Sequence, residues 1–449
     1  MDADRVRSSI AADMPRTVEE LGRLVRIPSM GYPGYDPAVV RASAEATREI
    51  LAAAGPDDAR LLELEGGHPA VFANVTADPQ APTVLLYAHH DVQPEGPVEE
   101  WDSPPFEPTE RDGRLYGRGT ADDKCGVAIH AAAIRAFEGR PPVNVKVLVE
   151  GEEECSTEHL PELIGGHADL LRADVAVVAD SGNYRAGVPT MTTSVRGVTD
   201  CVIEVRVLER AQHSGSYGGP VVDAYTALGR IIASLHDDRG NVAIDGLRSF
   251  AWQGFDVPES DLRDEVGSVD TLELMGEGSI SDRIWGGPAV AVLGIDGPRV
   301  HGSSNQIVPV ARARVSLRVA PDDDPVAAGE RLRDHLVRHA PWGVKANIVG
   351  GDGGFEAGRG YLVDTSHPAL AAATEALAEA YGREVVQTGS GGSIPLVPLL
   401  AETFPGIAVL MWGASDERSN IHSTNESVDL AELERMCVAE ALLLARLGG

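Results

Sequence analysis

The chain has 449 residues, a length that favours two domains. Of these residues 43% are hydrophobic and 24% are charged, a composition typical of a globular protein. Its 69 acidic and 38 basic residues give a formal net charge of −31, so neither nucleic acid nor an anionic membrane is an expected partner. No apolar run reaches the ~20 residues of a membrane span, and the four cysteines lack the spacing of a thiolate zinc site. Because the acidic start of the chain lacks the features of a signal peptide, we expect a cytoplasmic protein.

Helices and strands alternate in the first part of the sequence. Residues before Gly55 are expected to be largely helical, with one helix opening at the capping pattern that begins at Thr17, and a further helix follows Gly126. Four apolar, β-favouring runs predict buried strands at residues 70–75, 83–87, 143–150 and 175–179. Between them, the segment 101–119 is rich in Pro and Gly and predicts a long loop. This alternation is typical of an α/β domain with a mostly parallel sheet flanked by helices.

The pattern changes at Arg196. Six elements follow in the order strand, helix, strand, strand, helix, strand, at residues 199–207, 221–235, 289–295, 312–319, 325–339 and 344–349. This order predicts a ferredoxin-like α+β domain. After Gly358 the first pattern resumes, with a helix at 368–381, a strand at 407–411 and a helix at 430–447. We therefore predict an α/β domain formed by residues 1–196 and 357–449, interrupted by an inserted α+β domain at 197–356.

Polar side chains follow the predicted strands, where α/β sheets bind their ligands. His89 and Asp91 end the second apolar run, and two residues of an extended chain at this spacing point the same way. A carboxylate beside an imidazole is the arrangement that fixes the ring of a metal-bound histidine. On its own, this pair is also compatible with an ordinary polar cluster at the edge of a loop.

Four further segments carry acids or a histidine at strand ends or in loops: 117–124, 150–155, Asp180 and 420–426. Each has an ordinary structural alternative, respectively a helix cap, a solvated acidic face, an Asx turn and a surface histidine. Together they supply nitrogen and oxygen ligands, which suit zinc, manganese or cobalt. The number of carboxylates is compatible with two ions ~3.5–4 Å apart.

These motifs resemble those of the M20 metallopeptidases, in particular the branch of cytosolic non-specific, carnosinase-type and PepV-type dipeptidases. They occur in the order and spacing of that family and extend over almost the whole chain, at residues 87–94, 117–124, 150–154, 180 and 420–426. The resemblance implies two divalent metal ions, with zinc expected and manganese or cobalt as alternatives. It also implies that the inserted domain is a lid and dimerisation domain and that the protein is a homodimer.

The resemblance assigns roles to residues of the α/β domain. It makes His89 and Asp180 ligands of one ion, Glu154 and His422 ligands of the other, and Asp122 the bridge between them, with a cis peptide bond after Asp122. In the same comparison Asp91 holds the ring of His89. Glu153 is the general base that activates a metal-bound water.

Other roles fall in or near the inserted domain. By resemblance His213 donates to the developing oxyanion, reaching in from the partner subunit, and Arg318 binds the substrate carboxylate. Asn305, Gly392 and Ser393 match substrate contacts. The ordinary alternatives are a turn histidine, an exposed strand arginine, a surface amide and a glycine-rich turn. The sequence departs from the dipeptidase branch at residues 389–390, where Gly-Ser replaces the frequent Arg-Glu.

The expected activity is metal-dependent hydrolysis of the amide bond of dipeptides or short peptides. Deacylation of N-acyl amino acids and carboxypeptidase action are alternatives on the same scaffold. A non-catalytic binding protein is a third alternative, but the positions of all five metal ligands and of the base are filled with suitable residues.

Overall fold

The computed structural model describes residues 3–349, 357–392 and 394–449. Two units are distinguished by their internal contacts. The first comprises Met1–Thr193, Val363–Thr388 and Leu396–Gly449, and the second comprises Ser194–Leu362 and Gly389–Pro395. The predicted end of the inserted domain, residue 356, lies outside the described residues.

Twelve α-helices lie in the described ranges: α1 (Ala3–Val25), α2 (Pro37–Ala53), α3 (Lys124–Arg135), α4 (Leu160–Gly166), α5 (Ala168–Leu171), α6 (Ser214–Tyr217), α7 (Ala224–Ala233), α8 (Glu259–Val266), α9 (Pro325–Arg338), α10 (Pro368–Tyr381), α11 (Leu396–Thr403) and α12 (Leu430–Leu447). Within these residues, no helix combines the length and the apolar composition that crossing a membrane requires.

Eighteen strands lie in the same ranges: β1 (Asp58–Leu62), β2 (Ala70–Val75), β3 (Thr83–His89), β4 (Thr109–Arg111), β5 (Arg114–Tyr116), β6 (Asn144–Glu150), β7 (Val175–Val178), β8 (Thr190–Val195), β9 (Gly197–Arg206), β10 (Gln212–His213), β11 (Ala289–Asp296), β12 (Gln306–Ile307), β13 (Val310–Val319), β14 (Lys345–Val349), β15 (Tyr361–Leu362), β16 (Val386–Ser390), β17 (Ala408–Met411) and β18 (Ser427–Asp429).

The first unit is built on a sheet whose strands follow the order β1-β2-β6-β3-β7-β17-β8. The four central strands, β6, β3, β7 and β17, are parallel to one another, whereas β1, β2 and β8 add antiparallel edges. Strands β7 and β17 are entirely buried, as expected for parallel strands covered on both faces by helices. The prediction of an α/β fold with a mostly parallel central sheet is confirmed.

The parallel strands bring three polar segments to one edge of this sheet. His89 is the last residue of β3, and its register partner is Glu150, the last residue of β6. Strand β7 ends at Val178, two residues before Asp180. Since parallel strands end on the same side, the residues that follow them meet at the carboxyl edge of the sheet.

Helices α1, α3 and α12 pack against one another, and α3 also contacts β3. Helix α1 begins at Ala3, so the prediction that it opens at Thr17 is wrong. Val6, Ile10 and Leu21 are fully buried along one face of α1, and this packing carries the helix through Pro15. A second difference lies in the predicted loop 101–119, where β4 and β5 form a short hairpin.

The second unit contains a four-stranded antiparallel sheet with the order β11-β13-β9-β14. Helices α7 and α9 pack on this sheet and enclose a core that includes Ile203, Leu228, Val315 and Leu332. The element order β9, α7, β11, β13, α9, β14 confirms the predicted ferredoxin-like arrangement. In the same unit, the last two residues of β8 pair with β15.

Candidate metal centre

Two groups of ligand-type side chains lie in the first unit. The ligand atoms of His89, Glu153 and Asp180 lie within 4.8 Å of one another. Those of Asp122, Glu154 and His422 form a second group within the same limit. The structure therefore brings together all five predicted metal ligands and the predicted base, although they come from segments scattered along the sequence.

Asp122 connects the two groups. Its Oδ1 atom lies 3.0 Å from Nε2 of His89, and its Oδ2 atom lies 2.9 Å from Nε2 of His422. The two oxygens of one carboxylate thus face histidines of different groups. The peptide bond between Asp122 and Asp123 is cis, in agreement with the family resemblance.

The ring of His89 is held by Asp91. Nδ1 of His89 lies 3.2 Å from the backbone oxygen of Asp91 and 3.4 Å from its Oδ1 atom. With the proton on Nδ1, Nε2 is left with a free lone pair on the side of Asp122, as a metal ligand requires. The second oxygen of Asp91 accepts a 3.0 Å hydrogen bond from the backbone N–H of Glu154. Asp91 therefore positions one residue from each group.

Crowding of carboxylates dominates the electrostatics of this centre. Burial, together with the nearby charges of Asp122 and Glu154, raises the pKa of Asp180 to about 7. Burial and the charge of Asp180 likewise raise the pKa of Glu153 well above its usual range. Acids gathered in a buried place are stabilised by a divalent cation, and histidine nitrogen with carboxylate oxygen is a donor set that suits zinc. The residues present therefore fit a metal centre.

Glu426 fixes the turn that carries Asp122, a role that the sequence analysis did not identify. Its buried carboxylate accepts hydrogen bonds from the backbone N–H groups of Gly119, Ala121 and Asp122, at 3.0, 3.0 and 3.2 Å. The guanidinium of Arg118 donates to the same carboxylate at 2.7 Å. Glu426 lies at the end of the motif 420–426, but no local signal indicates that it reaches back to this turn.

Gln93 is a second residue whose role the sequence analysis missed. Its side-chain N–H donates to Oε2 of Glu154 at 2.8 Å, while its oxygen accepts from the hydroxyl of Tyr32 at 2.9 Å. The spacing carries a signal, because Gln93 stands two residues after Asp91 in the same motif. At this spacing an extended chain directs the side chains of Asp91 and Gln93 to the same side, so the sequence could have indicated that Gln93, like Asp91, orients a metal ligand.

Four other predicted site residues, His213, Asn305, Arg318 and Gly392, lie in the second unit. Nδ1 of His213 accepts from the backbone N–H groups of Gly215 and Ser216, at 3.1 and 3.2 Å, so a neutral ring carries its proton on Nε2. Asn305 lies beside it, since its backbone oxygen accepts a 3.0 Å hydrogen bond from the N–H of Ser214.

Arg318 is half-buried in β13, within the separate four-stranded sheet. Gly392 is exposed in the loop that follows β16. Ser393 lies outside the described residues, so its predicted role stays a prediction.

Comparison with known proteins agrees with these observations. Residues 85–446 match the model of peptidase family M20/M25/M40. A cysteinylglycine-S-conjugate dipeptidase of Corynebacterium striatum is 36% identical over 377 residues, covering 82% of each chain. The structure of the dipeptidase Dug1p of Saccharomyces cerevisiae superimposes with a TM-score of 0.81 at 22% identity, covering 100% of this chain and 98% of that one.

A further structural neighbour is human carnosine dipeptidase 1, with a TM-score of 0.80 at 22% identity and coverage of 99% of this chain and 98% of the other. At these identities the two structural matches establish the fold. The family match spans most of the chain, and the bacterial relative is similar over four-fifths of it. The chain is therefore a hydrolase that belongs to peptidase family M20/M25/M40.

Proposed function

We propose that this protein is a metal-dependent dipeptidase that hydrolyses the amide bond of dipeptides or short peptides. The observation that carries the proposal is the position of Asp122, whose two oxygens face His89 on one side and His422 on the other. A carboxylate placed in this way suits a bridge between two cations. The names of the relatives, which include dipeptidases, support a peptide as the substrate.

In this proposal His89 and Asp180 would hold one ion, Glu154 and His422 would hold the other, and Asp122 would contribute to both sites. Zinc is the proposed metal, with manganese or cobalt as alternatives for the same donor set. Such ions, when bound, polarise the scissile carbonyl and lower the pKa of water.

Glu153 acts as the general base. It removes a proton from the attacking water while the water oxygen bonds to the amide carbon, and it then gives that proton to the leaving nitrogen as the C–N bond breaks. Burial and the charge of Asp180 raise the pKa of Glu153, which favours its acceptance of the proton from water. Asp91 keeps the ring of His89 oriented throughout.

Residues of the second unit contribute to binding and to stabilisation of the transition state. Nε2–H of His213, left free because Nδ1 is engaged, donates to the oxyanion that forms on the carbonyl. Arg318 binds the substrate carboxylate, and Asn305, Gly392 and Ser393 make further contacts with the substrate. We propose that residues 197–356 act as a lid and dimerisation domain on a catalytic domain of residues 1–196 and 357–449, and that His213 serves the partner subunit.

We also propose a cytoplasmic location for this homodimer. All four cysteines are free, with Cys125, Cys201 and Cys437 buried, which suits a reducing compartment.

The experiment that tests the function is removal of metal with a chelator, followed by addition of zinc, manganese or cobalt and assay of free dipeptides and N-acyl amino acids. The expected result is loss of hydrolysis on chelation and its recovery on free dipeptides with added metal. Cleavage confined to N-acyl amino acids would replace the dipeptidase assignment with a deacylase. Hydrolysis that persists without metal would contradict the proposed mechanism.

A further inference from the structure

His422 lies on a loop whose backbone adopts an unfavourable conformation. The φ angles of Asn420, His422 and Asn425 are 51°, 59° and 59°, in the left-handed region that residues other than glycine seldom adopt. Residues keep such a conformation only where the surrounding structure imposes it. The side chain of His422 is 54% exposed, so packing around the ring does not supply this restraint. The restraint has to come from the rest of the loop.

Arg114 joins the two ends of this loop. The residue lies in β5 and is only 1% exposed. Its Nη1 and Nη2 atoms donate to the two carboxylate oxygens of Asp416 at 2.7 and 2.9 Å. Its Nε atom donates to the hydroxyl of Ser427 at 2.9 Å, and Nη2 also donates to the backbone oxygen of Ser427 at 3.0 Å. One guanidinium group thus closes the loop that runs from Asp416 to Ser427.

Contacts within the loop extend this restraint towards His422. The buried carboxylate of Asp416 accepts a 2.8 Å hydrogen bond from the backbone N–H of Arg418, and the backbone N–H of Asp416 donates to the hydroxyl of Ser419 at 2.9 Å. From the other end of the loop, the N–H of Ser427 donates to the backbone oxygen of Ser419 at 2.9 Å. Ser419 stands three residues before His422, so both ends of the loop are fixed close to this ligand.

The geometry of the Arg114–Asp416 pair explains its presence better than stability does. An ion pair buried in this way contributes little net stability, because removal of both charges from water offsets most of their attraction. The pair does impose a single arrangement, since the planar fork of arginine fits the two oxygens of a carboxylate in a defined orientation. A defined orientation is what a loop that carries a metal ligand requires.

We propose that Arg114 and Asp416 are positioning residues that hold His422 ready to bind a metal ion together with Glu154. The inference rests on the proposed function, because it concerns the ion that Glu154 and His422 would hold. Loss of the Arg114–Asp416 pair should therefore weaken the binding of this ion without removing any of its ligands.

The other ion should be affected much less. Glu426 lies in the same loop, but Arg118 fixes its carboxylate separately at 2.7 Å. The turn that carries Asp122 therefore keeps its restraint when the Arg114–Asp416 pair is lost. His89 and Asp180, which would hold the other ion, follow strands of the central sheet and do not depend on the loop.

The test measures the two metal affinities separately in wild type and in Arg114→Lys. Lysine keeps the charge, but its single ammonium group cannot reproduce the planar fork that bonds Asp416 and Ser427 together. Metal-free protein is titrated with Co²⁺ against a competing chelator, and His422→Ala identifies the binding step that depends on His422. We expect Arg114→Lys to weaken this step roughly 10- to 100-fold, as is typical of residues that orient a metal ligand, and to leave the other step unchanged. Equal weakening of both steps, or of neither, would overturn the proposal.

Two further variants complete the test. Arg41→Met is the matched control, because Arg41 also donates to both oxygens of one carboxylate, that of Glu63, at 3.0 and 2.6 Å, but both of these side chains are exposed. Both binding steps should match wild type in this control. The double variant Arg114→Met with Asp416→Asn removes the pair without leaving a buried charge, and it should weaken the same single step. Circular dichroism establishes that each variant is folded, and if the double variant is not, Arg114→Lys decides alone.

Hydrogen exchange of the metal-free protein separates this inference from the proposed function. Mass spectrometry of the backbone N–H groups of residues 417–426 measures how firmly the loop is held, whether or not any dipeptide is cleaved. If wild type cleaves no dipeptide, the proposed function fails, and faster exchange in Arg114→Lys confined to this loop would still support the positioning role. Exchange that is equal in the two proteins would overturn it. Faster exchange throughout the first unit would assign the pair to general stability and would also overturn it.

Discussion

The side-chain amide of Gln93 donates a 2.8 Å hydrogen bond to Oε2 of Glu154, the same oxygen that lies 3.1 Å from Nε2 of His422. Gln93 therefore orients a predicted metal ligand without belonging to the ligand set. Replacement of a residue that orients a metal ligand in this way typically weakens metal affinity 10- to 100-fold. We expect Gln93→Met to weaken binding of the metal ion by this factor, measured by titration with a competing chelator.

A matched control is Gln253→Met, in which an exposed glutamine of the second unit is replaced. Metal affinity should match wild type in this control. Unchanged affinity in Gln93→Met itself would show that Glu154 is held in place by its other contacts.

Glu153 lies in a ligand group with His89 and Asp180, so its assignment as the base has to be separated from a role in metal binding. We expect Glu153→Gln to lower kcat by at least ~10²-fold, as is typical for loss of a general base. The Glu153→Gln variant should bind the same number of metal ions per chain as wild type, with two expected, as measured by atomic emission. A variant that loses one ion together with activity would identify Glu153 as a ligand.

His213 offers a test of action between subunits. His213→Ala and Glu153→Ala should each be inactive as homodimers. If His213 acts across the dimer, a heterodimer of the two variants contains one site with both residues intact, and a random mixture should regain about a quarter of wild-type activity. Confirmed heterodimers without activity would place His213 in the site of its own chain.

His335 predicts a pH dependence of stability. Burial lowers its pKa, as does the charge of His339, whose ring stacks on it at 4.0 Å. A histidine whose pKa is lower in the folded state binds fewer protons there than in the unfolded state. It therefore destabilises the fold progressively as pH falls below about 6.5, its ordinary value.

Urea unfolding followed at pH 7.5 and pH 5.5 measures this effect. Stability of wild type should be lower at pH 5.5, and His335→Gln should reduce the difference between the two pH values. His301→Gln, which replaces an exposed histidine of the same unit, serves as the control and should keep the wild-type difference. An undiminished difference in His335→Gln would assign the pH dependence to other groups.

The central part of the fold and the candidate ligands could be predicted from sequence because both depend on short segments. Apolar runs predicted the strands, and the residues that follow them, such as His89 and Asp180, meet at the edge that parallel strands share. The roles of Gln93 and Glu426 could not be predicted, since they depend on contacts 61 and 304 residues away along the chain. Local signals also failed for α1, where burial of Val6 and Ile10 extends the helix through a proline.

The hydrogen bonds of Glu426 have a consequence for the order in which the protein matures. When a ribosome has completed the segment that carries His89 and ends at Asp122, the acceptor for the N–H of Asp122 is still 304 residues from being synthesised. His422, the partner of the second Asp122 oxygen, is made only four residues earlier than Glu426. A nascent chain consequently cannot assemble the complete centre until the segment that carries His422 and Glu426 has been synthesised, so peptide-bond cleavage has to wait for that segment.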